Sequence, residues 1–175
     1  MPDNGLPRIP LALRHLPTVG GVVVPWISLR TPDGRYLLGV IDQSRADLAL
    51  LRRLCGVCGR PLETRLVLMM RLSDLPRQRT NEPALHPWCA AYTRTACPMI
   101  ADRQSHYRKS PPRVDDSMAH VPDASARQGA RAEPWFAVWL TTYEVVTDHG
   151  NLAASYAGVG PLRIRPLTWN ELELK

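Results

Sequence analysis

Side chains that bind soft metal ions fall in this chain as two pairs, each spaced by two residues: Cys55-Gly-Val-Cys58 and His86-Pro-Trp-Cys89. Three thiolates and an imidazole complete a closed tetrahedral zinc site, and a two-residue spacing lets one turn point both side chains at one ion. In the first pair Gly56 and Gly59 flank the turn. They let it close tightly and leave backbone N–H groups free to donate to sulfur. That is a zinc-knuckle pattern. The second pair falls at the start of a helix expected over 84–96, where exposed N–H groups and the helix dipole favour a thiolate.

The preferred ligand set is therefore Cys55, Cys58, His86 and Cys89, holding a structural Zn2+. The rival set replaces His86 with Cys97. Cys89 and Cys97 stand eight residues apart on the same expected helix, about 12 Å along its axis. That set requires the helix to break ahead of Pro98. Two other readings of the cysteines carry less. Free Cys packs well as a small hydrophobe, but two ordered pairs in so short a window argue for a shared ligand. A redox dithiol of the thioredoxin type needs a helix after its motif, and Gly59-Arg60-Pro61 forbids one.

The chain has 175 residues, enough to bury a core without help from a metal, so the ion should organise one region only. Seventeen prolines and eleven glycines predict short elements and many turns. The spacing predicts an α+β domain in four stretches: an extended N-terminal arm over 1–20, a zinc-knuckle region over 21–100, a polar loop or linker over 101–133, and a β-rich segment over 134–175. Strands are expected over 21–28, 35–41, 64–72, 134–146 and 152–164, with Pro25 restricting the first to an edge or bulge. Thr31-Pro32-Asp33-Gly34 and Asp148-His-Gly-Asn151 read as turns. A helix over 45–54, capped by Asp42 or Ser44, is expected to bury Leu48, Leu51 and Leu54 and to point Arg45, Arg52 and Arg53 outward. Thr168-Trp-Asn-Glu171 is a capping-box pattern that would open a helix over 169–174.

These residues resemble an uncharacterised bacterial and phage family of zinc-knuckle proteins. The match rests on Gly-x-x-Val-Pro-Trp near 21, Leu54-Cys-x-x-Cys-Gly-x-Pro-Leu62, His86-Pro-x-Cys-x-x-Tyr92, Ala96-Cys-Pro98 and the Trp139–Tyr143 strand. It covers about residues 20–170 and implies a treble-clef-like site, a knuckle followed by a ligand pair on the first turn of a helix. It implies no activity. The polar stretch 101–133 and the short C-terminus depart from it.

Net charge is +6, and 22 basic residues face 16 acidic ones; twenty of the basic residues are Arg. Arginine suits phosphate and carboxylate recognition, although a GC-rich coding sequence gives the same bias. Much of the surplus lies near the knuckle, which makes Arg52, Arg53, Arg60, Arg65, Arg77 and Arg79 the candidate nucleic-acid contacts. Trp88 and Tyr92 could stack on bases or face the core. The favoured reading is a zinc-stabilised, non-catalytic binding module whose partner is nucleic acid. An adaptor for an acidic protein partner is the alternative. A metal- or thiol-dependent enzyme is the third reading, and it requires an open site. The chain shows no P-loop, Rossmann glycine pattern, Gly-x-Ser-x-Gly, His-Glu-x-x-His or deaminase His-x-Glu. No membrane span or secretory signal is read, and clustered cysteines fit a reducing compartment, so a cytoplasmic location is expected.

Overall fold

The computed structural model describes residues 5–109 and 127–167. In chain order, a 3-10 turn (Leu11–Leu13) precedes β1 (Thr18–Val19), β2 (Val22–Val23), β3 (Ser28–Arg30), β4 (Tyr36–Ile41) and α1 (Gln43–Arg52). After the knuckle come β5 (Leu66–Arg71), a second 3-10 turn (Leu72–Asp74), β6 (Arg79–Thr80) and α2 (Pro87–Ala96). The chain closes with β7 (Trp135–Leu140), β8 (Glu144–Asp148), β9 (Asn151–Ser155) and β10 (Arg163–Pro166). Strand pairing is antiparallel, in the orders β1-β2, β3-β4, β10-β7-β5 and β6-β9-β8. The molecule is mixed α+β with short elements.

β5 explains the layering. All but its last residue are buried, so both of its faces must be covered. Successive side chains of a strand point to opposite sides. Val67 and Met69 accordingly join one core with Trp135 and Ala137 of β7, the α2 residues Cys89, Ala90, Tyr92 and Ala96, and Leu13 and Val23 of the N-terminal segment. Leu66, Leu68 and Met70 join a second core with Val138 and Leu140 of β7, Leu50 of α1, Tyr143, Ala154 and Tyr156. The β10-β7-β5 sheet thus separates two apolar layers, and the knuckle cysteines belong to the first. β5 also pairs along its other edge, where Val67 and Leu85 exchange two backbone hydrogen bonds of 2.9 Å. β10, the outer strand, is exposed throughout.

Several elements differ from their sequence expectations for identifiable reasons. The strand expected over 21–28 is divided, because Trp26 and Ile27 give their N–H groups to Val57 and Gly56 of the knuckle and so have none for a ladder. The helix expected to start at 84 begins at Pro87, since Leu85 is spent on β5. The run over 134–146 is two strands about a turn, and 152–164 likewise contains the end of β9 and the start of β10. Residues 73–83, between the strand and the helix expected there, hold the end of a 3-10 turn and β6. The N-terminal segment contains Leu13, which is fully buried. The flanks of the polar stretch 101–133 are tied together by Tyr107 N–H to Ala130 O and Ala132 N–H to Ser105 O. The helix expected over 169–174 lies outside the described residues.

The helix α1 turns a different face inward from the one its leucines suggest. Ala46, Ala49 and Leu50 are buried, whereas Leu48 is 43 % and Leu51 59 % exposed. Arg45 does not point outward either: it donates to the Trp26 carbonyl at 2.8 Å. Asp42 caps the N-terminus by accepting from Arg45 N–H. The C-terminus closes on Arg53, a non-glycine residue at φ 53°. Leu54 N–H donates to Ala49 O as in a Schellman closure, and Arg53 N–H donates to the same carbonyl as in the αL motif, closures usually built on glycine. The strain is offset by the side chain. The guanidinium donates to the Thr142 hydroxyl and, at 2.8 Å, to the Tyr143 carbonyl, and lies 4.9 Å over the Tyr143 ring. Tyr143, fully buried, donates its own hydroxyl to Leu50 O at 2.9 Å.

Two outcomes follow from this corner. Arg53→Ala loses the anchor and keeps the left-handed strain, whereas Arg53→Gly loses the anchor and relieves it. In urea titrations the Gly variant is expected to be the more stable of the two by about 1 kcal/mol; equal stabilities would contradict the strain. Burial pushes the Tyr143 phenol up to about 12, against the nearby Arg53 cation, which acts the other way. The folded state therefore favours the protonated phenol. Stability should be unaffected by this group below its ordinary value near 10 and fall as pH rises from there through about 12. Tyr143→Phe should flatten that fall; an unchanged slope would assign it to another group.

Candidate metal centre

The knuckle is a tight loop closed by its own backbone. Leu54 and Pro61 bridge its base, Cys55 N–H donates to Arg60 O, and Gly59 N–H donates to Cys55 O, both at 2.8 Å. Backbone N–H groups also point at sulfur: those of Cys58 and His86 at Cys55, and that of Arg60 at Cys58. Gly59 is required at its position. Its φ is +70°, and a Cβ there would stand 2.7 Å from the Trp26 ring. Trp26 is fixed in turn by its N–H bond to Val57 O and by the Arg45 guanidinium, 5.6 Å over its ring.

The second half of the centre arrives along β5. Pairing with Val67 holds Leu85 extended, and Gly56 N–H donates to Ala84 O at 3.1 Å, which joins the knuckle directly to the segment leading into α2. His86 is the N-cap residue of α2, with an extended backbone, and Pro87 begins the helix where its missing N–H costs nothing. Cys89 then falls in the first helical turn. The His86 ring is 2 % exposed. Its Nε2 lies 2.9 Å from Pro61 O and its Nδ1 lies 3.4 Å from Cys58 Sγ. A carbonyl can only accept, so Nε2 carries a proton, and Nδ1 is the nitrogen turned toward the sulfurs. This is how a ligating imidazole is usually oriented by its other nitrogen.

The structure brings together Cys55, Cys58, His86 and Cys89, all buried, with their ligand atoms within 4.8 Å of one another. Donors at about 2.3 Å (sulfur) and 2.0 Å (nitrogen) from a shared ion would lie roughly 3.5–3.8 Å apart in a tetrahedron. The donor types and their spacing therefore fit a metal ion such as zinc. Electrostatics point the same way. Hydrogen bonds from the Cys55 and Cys89 thiols, with the Arg60 N–H and nearby His86, hold the Cys58 thiol far below its usual range. The Cys89 thiol is pushed far up by the Cys55 and Cys58 sulfurs and by burial. Three thiols in mutual contact thus favour a thiolate among them, and a cation relieves the repulsion that further ionisation would create.

Cys97 is not part of the cluster. The helix α2 runs unbroken through Ala96, so Cys97 sits at its far end, partly buried, and burial raises its thiol. The basic residues divide into two groups. Arg77 pairs with Asp74 at 2.9 Å and Asp148 at 2.7 Å, and Arg79 lies 3.8 Å from Asp148. Arg53 is committed to the β7–β8 turn. Arg52, Arg60 and Arg65 are exposed and have no side-chain partner among the described residues. Tyr92 is 5 % exposed and accepts from Val23 N–H through its hydroxyl, so it faces the core. Trp88 is 41 % exposed and stacks on His86, with ring centroids 4.4 Å apart and planes within 9°. No helix among the described residues is long and apolar enough to cross a membrane.

Compared with protein-family models, curated proteins and solved structures, the chain matches none. The geometry of the centre is thus the principal guide to function. Sequence reasoning missed three of its supports: Trp26 over Gly59, Pro61 O on His86, and Ala84 O on Gly56. The Gly59-Arg60-Pro61 run was a signal of a closed loop, but it does not say which backbone carbonyl the imidazole will meet.

Proposed function

We propose that this chain is a zinc-stabilised, non-catalytic binding module whose partner is nucleic acid. The observation that carries the metal half is the convergence of three buried cysteine sulfurs and one oriented imidazole within 4.8 Å. Thiolates with one imidazole suit zinc over harder cations, and four protein donors make a closed, structural site. The knuckle, the strand β5 after it and a ligand pair on the first turn of α2 correspond to a treble-clef-like arrangement. The partner half is supported by Arg52, Arg60 and Arg65, exposed cations near the knuckle. The second reading, a protein adaptor, is favoured by Leu48 and Leu51, exposed on α1.

Metal analysis tests the first half. Purified protein is expected to carry stoichiometric zinc that Cys89→Ser and His86→Ala lose and Cys97→Ser retains. Loss in Cys97→Ser with retention in His86→Ala would overturn the ligand set. A binding titration over increasing salt tests the second half. The logarithm of affinity should fall linearly with the logarithm of salt concentration. No binding to DNA or RNA at about 50 mM salt removes nucleic acid in favour of the adaptor.

A further inference from the structure

The outer face of α2 has a composition that the metal centre does not explain. Cys89, Ala90, Tyr92 and Ala96 are buried, while Trp88, Ala91, Arg94 and Thr95 are exposed, and the helix contains no acidic residue. Trp88 is the large apolar group on that face. One side of its ring lies parallel against the imidazole of His86, 4.4 Å away, so its 41 % exposure belongs to its edges and opposite side. A buried, hydrogen-bonded histidine holds the indole in a fixed plane, and a rigid ring open on one side loses little entropy when a second ring stacks on it.

Two arginines lie close in the chain to the contacts that seat this ring. The bridge between Val67 and Leu85 is antiparallel, so the chain just before Val67, with Arg65 two residues away, runs toward the start of α2. Arg60 precedes Pro61, whose carbonyl meets His86 Nε2. Arg94 is on the same helix but about 120° around its axis from Trp88. Glu63 is the carboxylate of the intervening segment, and it is exposed like its neighbours. None of these charged side chains has a hydrogen bond or ion pair among the described residues, so their positive field is available to an anionic ligand.

We propose that the open face of Trp88 is a stacking platform for an unpaired base, with Arg60 and Arg65 meeting the flanking phosphates. The ligand is single-stranded nucleic acid, because the bases of a duplex already stack on each other and present only edges. Every base has a π-face, so recognition of this kind tolerates sequence. The proposal rests on the nucleic-acid reading above and narrows it.

The test is fluorescence anisotropy with a labelled oligothymidylate, the matching oligouridylate and a duplex, using wild type, Trp88→Leu, Trp88→Phe and Arg65→Gln, with zinc content measured in each. Trp88→Leu keeps an apolar cover over His86 but removes the π-face. It should bind either single strand about tenfold more weakly than wild type, the factor that about 1.4 kcal/mol of stacking makes. Trp88→Phe should recover most of that loss. Arg65→Gln should lower the salt slope by about one, a readout that does not depend on the ring and remains informative if Trp88→Leu loses zinc. Equal binding of duplex and single strand, or unchanged binding by Trp88→Leu with its zinc retained, overturns the platform and leaves nucleic-acid binding standing. If Trp88→Leu loses zinc, an unchanged Arg65→Gln slope overturns it. No binding of any probe by wild type removes both.

Discussion

The clasp between the knuckle and residues 84–86 is the contact on which the rest of the centre depends. Two ligand pairs separated by two strands and a 3-10 turn can serve one ion only if backbone contacts hold them face to face. Gly56 N–H on Ala84 O and Leu85 on Val67 supply that hold without any metal. The His86–Pro61 contact then sets the ring in the orientation that leaves Nδ1 directed at sulfur. The protein thus meets the ordering cost of its ligands largely through main-chain hydrogen bonds, which side-chain substitution does not remove. A metal ion held there would add neutralisation of buried sulfur charge.

Around that clasp the exposed and buried basic residues have separate duties. Arg71, Arg77 and Arg79 lie among Asp74, Glu82 and Asp148 in a partly buried network at the end of β5 and the β8–β9 hairpin. Desolvated charges of this kind need their partners, so these arginines are occupied within the fold. Arg45 and Arg53 likewise brace Trp26 and Tyr143. The number of arginines in the chain therefore overstates how many are free to meet a ligand. The exposed cations without a partner near the knuckle are few: Arg52, Arg60 and Arg65.

The centre was legible in the sequence because ligand identity and two-residue spacing are local properties. Cys55, Cys58, His86 and Cys89 could be named from chemistry alone, with Cys97 left as the rival to His86 until α2 proved unbroken through Ala96. The strand order, by contrast, was not legible. Nothing in the run from Trp135 to Val146 says that its first half pairs with β5 on one side and β10 on the other. The inward face of α1 was misjudged for a related reason. Leucines at helical spacing suggested a buried stripe, but close packing selected the alanines at 46 and 49 with Leu50, and the larger side chains were left outside. Trp26 shows the same limit: it fills the space that Gly59 leaves, a fit that only the folded backbone reveals.

The double burial of β5 has a consequence for how the sheet finds its alignment. Alternate residues of that strand line two different cores, and a slip of one position would exchange them, sending Leu66, Leu68 and Met70 toward the cysteines. Apolar side chains on both faces penalise such a slip only weakly. The bond pair between Val67 and Leu85 sits one residue from His86. A metal that drew the imidazole to the sulfurs would therefore reinforce the register that the Val67–Leu85 bonds set, in a sheet whose hydrophobic pattern reads almost equally well in two settings.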